Sequence, residues 1–397
     1  MTRKQNPPLI LMLVATSVAS DTRVLREAGC LVDLGMEVVI VGRDVPADFA
    51  PPKGISILRA SGGSGLRPSS MGSLTTKRLP PHLRFARWLL LPTHRKKSFS
   101  AWAGGAYDLA SALNFEAVHA HDFTALELGE RLAREHAVPL IYDSHEWWTG
   151  RQRQYRPTPI MDRLEARTEG KLARQAAAVI TVGDSIAKLI ERDRGVKKVF
   201  VVRNSFPVDY MSSKSVVSPP CSILYAGRID AFRELEVIME VSSLIDIPIS
   251  WMGEHDNQWA ANFVPRARKL GIEVLKSQPI ASVTSAMQNA GLVFVTHSNK
   301  FESHRLALPN KLFHAVHAGV PVIATNVSEL ARIVTKYDIG ELYQPGNSNS
   351  MKDAIERAIA RHPKLISNVR AAQKELSWDR DAQVLKDIYA DVLAGDI

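Results

Sequence analysis

Cysteine is nearly absent: the 397-residue chain holds two, Cys30 and Cys221, far apart in apolar-periodic segments. That excludes a disulfide framework and a cysteine zinc cluster, and it fits a reducing compartment. No apolar run reaches the roughly 18 to 20 residues that span a bilayer. No internal repeat occurs, and no nucleic-acid recognition module is present. Gly62-Gly63-Ser64-Gly65 precedes no lysine-bearing helix start, so a nucleotide-hydrolase phosphate loop is also missing. With 45% hydrophobic and 23% charged residues, collagen, coiled coil and wholesale disorder are excluded.

What is there reads as an α/β protein of at least two domains, since domains average roughly 150 residues. Short β-branched runs alternate with helical patterns throughout, as in parallel sheets covered by helices. Strands are expected at 8–15, 37–42, 55–59, 116–121, 138–142, 178–182 and 199–203, then again at 222–226, 247–251, 273–275, 291–296, 321–325 and 340–343. Arg3 and Lys4 before the apolar run Pro8 to Ala15 imitate a signal peptide. That run, however, flows into Asp21 to Ala28, an amphipathic helix with an acidic N-cap, as a first strand and helix do. The break between the two sets lies near Asn204 to Pro220, giving two doubly wound domains over 1–208 and 209–376. A terminal helical segment, 377–397, either caps the second domain or crosses back to the first. Within it, Asp379-Arg380-Asp381 reads as solvated surface rather than a metal pair.

The net charge of +9 is local. Residues 61–110 carry eight basic side chains against one acid, Asp108, and Lys77 to Lys97 interleaves Arg84, Arg87, Arg95, Lys96 and Lys97 with Leu83, Phe85, Trp88 and Leu89 to Leu91. Such a mixture suits an anionic membrane interface; a surface helix and loop packed on the first domain is the alternative. The flanking Ser61 to Ser73 reads as a flexible loop.

In doubly wound sheets ligands lie beyond the carboxyl ends of the strands. There stand His119-Ala120-His121-Asp122 and Asp143-Ser144-His145-Glu146-Trp147-Trp148. The two histidines share a strand face, as a metal pair does, but no third ligand is visible and no metal is expected. His145, between two acids and two tryptophans, is the histidine expected to face a ligand. In the second half, Gly227-Arg228 ends a strand and Arg233 opens the next helix, an arrangement suited to pyrophosphate. Pro309-Asn310-Lys311 opens another helix, leaving first-turn amides and Lys311 for an anion.

These residues in this order resemble the GT-B glycosyltransferases, most closely the retaining family 4 of nucleotide-sugar transferases. The resemblance covers roughly residues 8–393 and rests on Asp21-Thr22-Arg23-Val24 with Glu27-Ala28 and Gly35, the His119 and Asp143 runs, Val202-Arg203-Asn204, Gly227-Arg228 with Arg233, and Pro309 to Phe313 through Gly319-Val320-Pro321-Val322. It implies transfer without a metal or other cofactor from a nucleotide-diphosphate sugar, UDP- or GDP-linked. Nucleotide-sugar binding would fall to Gly227, Arg228, Arg233, Gly253, Glu302, Pro309, Asn310, Lys311 and His314. Arg23, His121, Asp122, Asp143 and Glu146 would lie on the acceptor side, and His145, Arg228, Arg233 and Lys311 would be catalytic. The family's two glutamates are replaced here by Leu306 and His314, the latter at the position that commonly meets the ribose; Glu302 is a substitute carboxylate. A glycan or lipid-linked acceptor and a cytoplasmic location, peripheral on the inner face of the membrane, follow. A nucleotide-sugar epimerase and a non-catalytic nucleotide-sugar-binding subunit are the alternative readings.

Overall fold

The computed structural model describes residues 7–60, 101–151, 159–207 and 215–396. The expected loop at Ser61 to Ser73 and the basic segment Lys77 to Lys97 lie outside the described residues. Seven strands, β1 (Leu9–Val14), β2 (Glu37–Arg43), β3 (Ile55–Ala60), β4 (Ala117–His121), β5 (Leu140–Ser144), β6 (Ala178–Thr181) and β7 (Val199–Val201), form a parallel sheet in the order β3-β2-β1-β4-β5-β6-β7. Six more, β8 (Ser222–Ala226), β9 (Ile249–Met252), β10 (Glu273–Leu275), β11 (Gly291–Val295), β12 (Val322–Thr325) and β13 (Gly340–Tyr343), form a second in the order β10-β9-β8-β11-β12-β13. Every expected strand is present, its ends displaced by no more than two residues.

Unbroken apolar strands fit sheets covered on both faces. In β1, Leu11 and Leu13 enter one core while Ile10, Met12 and Val14 enter another on the opposite face. In β8 the same division sends Leu224 and Ala226 one way and Ile223 and Tyr225 the other. The strand order reverses direction between β1 and β4 and between β8 and β11. Each reversal opens a crevice at the carboxyl ends of the strands.

The terminal helix Trp378–Ala394 crosses back: Trp378, Ala382, Leu385, Ile388, Tyr389 and Val392 share a core with Ile10, Met12 and Val24 of the first half. This corrects the reading of Asp381 as surface. It is 2% exposed and holds the Arg203 guanidinium at 2.9 Å and the Ser205 hydroxyl. Its helix turns the face with Asp381 inward because Trp378, Ala382 and Leu385 flank it there. Replacing Asp381 by Ala removes the charge partner of Arg203, which keeps only the Glu375 carbonyl, and the acceptor of the Ser205 hydroxyl, and a loss of about 3–5 kcal/mol in urea unfolding is expected.

Candidate functional site

At the ends of β8, β9 and β11 lies a cavity of about 480 Å³ lined by Gly227, Arg228, Arg233, Gly253, Pro309, Asn310, Lys311 and His314, together with Phe206, Tyr225, Glu254 and His297. Thus eight of the nine residues expected at the nucleotide-sugar share one cavity. The ninth, Glu302, is not among its walls. The two glycines explain the shape. Gly227 has φ +151°, and a Cβ on Gly253 would fall 1.9 Å from the Gly227 carbonyl oxygen, so the backbones of both strand ends touch where a side chain would block the floor.

Positive charge converges on this floor. Lys311, on the helix Asn310–Ala318, donates to the Tyr225 hydroxyl at 3.1 Å and lies 4.2 Å from the centre of that ring. Tyr225 in turn donates to the Arg228 carbonyl at 2.9 Å. Burial, and then the neighbouring Arg233, push the Lys311 amine well below the ordinary lysine range. Arg233 donates to His297 Nε2 at 2.9 Å, which puts the imidazole proton on Nδ1. Burial and that guanidinium hold His297 neutral, at about 2. The Arg228 side chain is half exposed beside Asp230 at 3.5 Å. Pro309 caps the helix with no side-chain acceptor on its first amides.

His314 takes a defined tautomer. Thr284 spends its hydroxyl proton on the Ile280 carbonyl, so the 2.9 Å contact between Thr284 Oγ1 and His314 Nε2 has the imidazole as donor. Burial, and next to it His317, lower His314 to about 4, so it is neutral and Nδ1 is an acceptor. The ring stacks on Phe206, with centroids 4.9 Å apart.

The residues expected on the acceptor side gather at the ends of β4 and β5. Arg23 forms a two-pronged pair with Asp143 at 2.8 Å and meets Glu27 at 3.0 Å. Asp143 also receives His145 Nε2 at 3.0 Å. Asp122 holds the same histidine from the other side, accepting its backbone amide at 3.1 Å and facing Nδ1 at 3.4 Å. Asp122 has φ +62°, a left-handed conformation that non-glycine residues seldom adopt and that places its carboxylate under the His145 loop. Burial alone would lower His145, but Asp122 and Asp143 outweigh it and raise the imidazole to about 10. Asp143 is held well below the carboxylate range: burial opposes this, and Arg23 followed by His145 overcomes it. Glu146 is raised to about 7 by burial and by Asp122.

One expectation needs correction. Arg23, His121 and Asp143 are at most 3% exposed and lie beneath His145, so they hold it rather than meet an acceptor; only His145, Asp122 and Glu146 reach the surface of this side. His119 is likewise internal, its Nδ1 2.9 Å from the Tyr389 hydroxyl of the terminal helix. Glu27, His119, His121 and Asp143 together have the ligand types of a metal centre. The Arg23 guanidinium already pairs with both carboxylates of that group, which suits a buried ion network better than a cation site. Sequence reasoning missed Tyr225 and His297. His297 follows β11 directly, and that position at a strand's carboxyl end was the available signal.

Two family models match the chain: a glycosyl transferase 4-like domain over residues 19–205 and glycosyl transferases group 1 over residues 220–361. A curated relative, D-inositol 3-phosphate glycosyltransferase of Corynebacterium aurimucosum, is 23% identical over 341 residues, covering 77% of this chain and 78% of its own. Among solved structures, sucrose-phosphate synthase of Thermosynechococcus elongatus superposes with a TM-score of 0.73 at 15% identity, over 98% of this chain and 100% of that one. Anabaena HepE in complex with UDP superposes with a TM-score of 0.68 at 14% identity, over 96% and 99%. At those identities the structures establish the shared fold.

Proposed function

Because the chain belongs to the GT-B glycosyltransferases of the family 4 type, we propose that it is a retaining enzyme moving a sugar from a nucleotide diphosphate to an acceptor hydroxyl. The observation that carries this is the cavity floor, where Arg228, Arg233 and Lys311 meet the uncapped amides after Pro309. Departure of a nucleoside diphosphate builds negative charge on its terminal phosphate, and fixed positive groups there lower the barrier. On this reading transfer proceeds without a metal, those three side chains supplying the charge. His314 Nδ1 would accept from the ribose in place of a carboxylate. UDP and GDP are the nucleotides proposed, and HepE was solved with UDP.

The acceptor hydroxyl would approach on the face the diphosphate leaves, so a phosphate oxygen can take its proton and configuration is retained. His145 then needs only to orient the reacting centre: Nε2 is committed to Asp143, and Nδ1–H, with its longer contact to Asp122, can turn to a sugar oxygen. A glycan or lipid-linked acceptor at an anionic membrane surface is proposed from the basic segment Lys77 to Lys97. Because the Corynebacterium relative is named for an inositol phosphate, polyol phosphates belong in the acceptor set.

The test combines a thermal-shift screen against nucleoside diphosphates with product analysis from UDP- and GDP-sugars labelled at the anomeric carbon. Stabilisation by one nucleotide and transfer of label with retained configuration are expected. An epimerised donor, an inverted product, or binding without turnover would each overturn the proposal.

A further inference from the structure

The segment that carries Glu302 and Leu306 connects β11 to the helix Asn310–Ala318, and so joins His297 to Lys311 along the chain. Its His297, Ala307 and Pro309 line the cavity, but Glu302 and Leu306 do not. Trp147 of the first half donates its indole N–H to Glu302 Oε2 at 3.0 Å, and Leu306 packs against the first-half core that contains Tyr142, Trp147 and Ile186. The approach is close: a Cβ on Gly150 would lie 2.8 Å from the Glu302 Cβ and 2.5 Å from Trp147 Cδ1. The Trp147 ring is 4% exposed and is covered by Arg194, whose guanidinium carbon lies 4.2 Å from the ring centroid and which Glu169 pins at 2.7 Å. Trp147 stands two residues from His145, so the contact ties the wall of the cavity to the loop that carries the acceptor-side histidine.

We propose that Glu302–Leu306 is a docking element, in which Glu302 and Leu306 act as positioning residues that seat the donor cavity against the His145 loop through Trp147. This rests on the glycosyltransferase reading for its kinetic consequences but not for the contact itself. It also gives Leu306, which stands where the family resemblance expects a glutamate, a use for its apolar side chain: a charged group there would be pressed against the first-half core.

The test compares Glu302→Ala, Glu302→Gln, Leu306→Ala and Trp147→Phe by three readouts: amide hydrogen exchange at residues 145–150, affinity for UDP and GDP by calorimetry, and kcat with KM. Glu302→Ala is expected to speed exchange at 145–150 and to lower kcat, each by about tenfold or more, with nucleotide affinity within about twofold. Leu306→Ala and Trp147→Phe should do the same, and Glu302→Gln, which still offers the indole an oxygen, should restore both. A rise in KM for the nucleotide-sugar with unchanged exchange would make Glu302 a direct sugar ligand and overturn the proposal, as would unchanged exchange and kcat together. If the wild-type chain bound neither nucleotide and transferred nothing, the enzyme reading would fail, while the exchange data would still decide the docking.

Discussion

His145→Ala is expected to lower kcat by about a thousandfold while leaving nucleoside diphosphate affinity unchanged, since the proposed function puts the histidine on the acceptor side and the nucleotide among second-half residues. Calorimetric titration with UDP or GDP and turnover under saturating donor separate the two quantities. A large loss of nucleotide affinity would remove His145 from the acceptor side, and unchanged turnover would make it structural. The same variant has a thermodynamic signature. The folded imidazole keeps its proton up to about 10, against 6.5 for the unreacted side chain. Its attraction to Asp122 and Asp143 therefore contributes fully below pH 6.5 and fades as pH climbs toward 10. The stability gap between wild type and His145→Ala should accordingly be widest near pH 6 and narrow steadily between about pH 6.5 and 10, a trend opposite to that of a histidine buried neutral.

Lys311→Met is expected to abolish most turnover, by about a hundredfold or more, and yet to raise the melting temperature at neutral pH. The ammonium sits on Tyr225 and has Arg233 as a like-charged neighbour. A lysine whose proton binds less tightly in the folded state destabilises that state as pH falls below the ordinary lysine range, and methionine of similar length removes the cost. Arrival of a diphosphate would reverse the balance, because its charge makes the protonated amine favourable again. Differential scanning calorimetry with and without UDP checks both halves: the variant should melt higher alone and gain less from the nucleotide than wild type does. A lower melting point without ligand would mean that Lys311 supports the fold instead.

Strands and the residues that line the second-half cavity were legible because period and position carry them. Leu9 to Val14 and Ser222 to Ala226 are continuous apolar runs, and Gly227, Lys311 and Pro309 sit at element ends where backbone geometry and free amides make glycine, lysine and proline meaningful. Two kinds of information were not legible. Depth was one: Arg23, His121 and Asp143 occupy the strand-end and helix positions expected of ligand contacts, but only the packing of His145 and Asp122 over them shows that they lie underneath. Contacts between distant segments were the other. Asp381 and Arg203 are 178 residues apart, and Trp147 and Glu302 are 155 apart. Asp381 reads as helix surface, Arg203 as a strand end, and Trp147 and Glu302 as strand-end or loop candidates, and nothing local in either segment encodes its partner.

The return of the terminal helix to the first sheet means that the chain passes between the two halves twice, and the two passages lie side by side. Phe206 and Ser377 form a parallel bridge, with the Trp378 amide donating to the Phe206 carbonyl at 2.8 Å. Where a single tether would leave the halves joined at one point, here the two passages are also bonded to each other. Phe206 is also a wall of the cavity at the ends of β8, β9 and β11 and stacks on both His314 and His317. A ligand filling that cavity would therefore press on the same residue that joins the two passages of the chain.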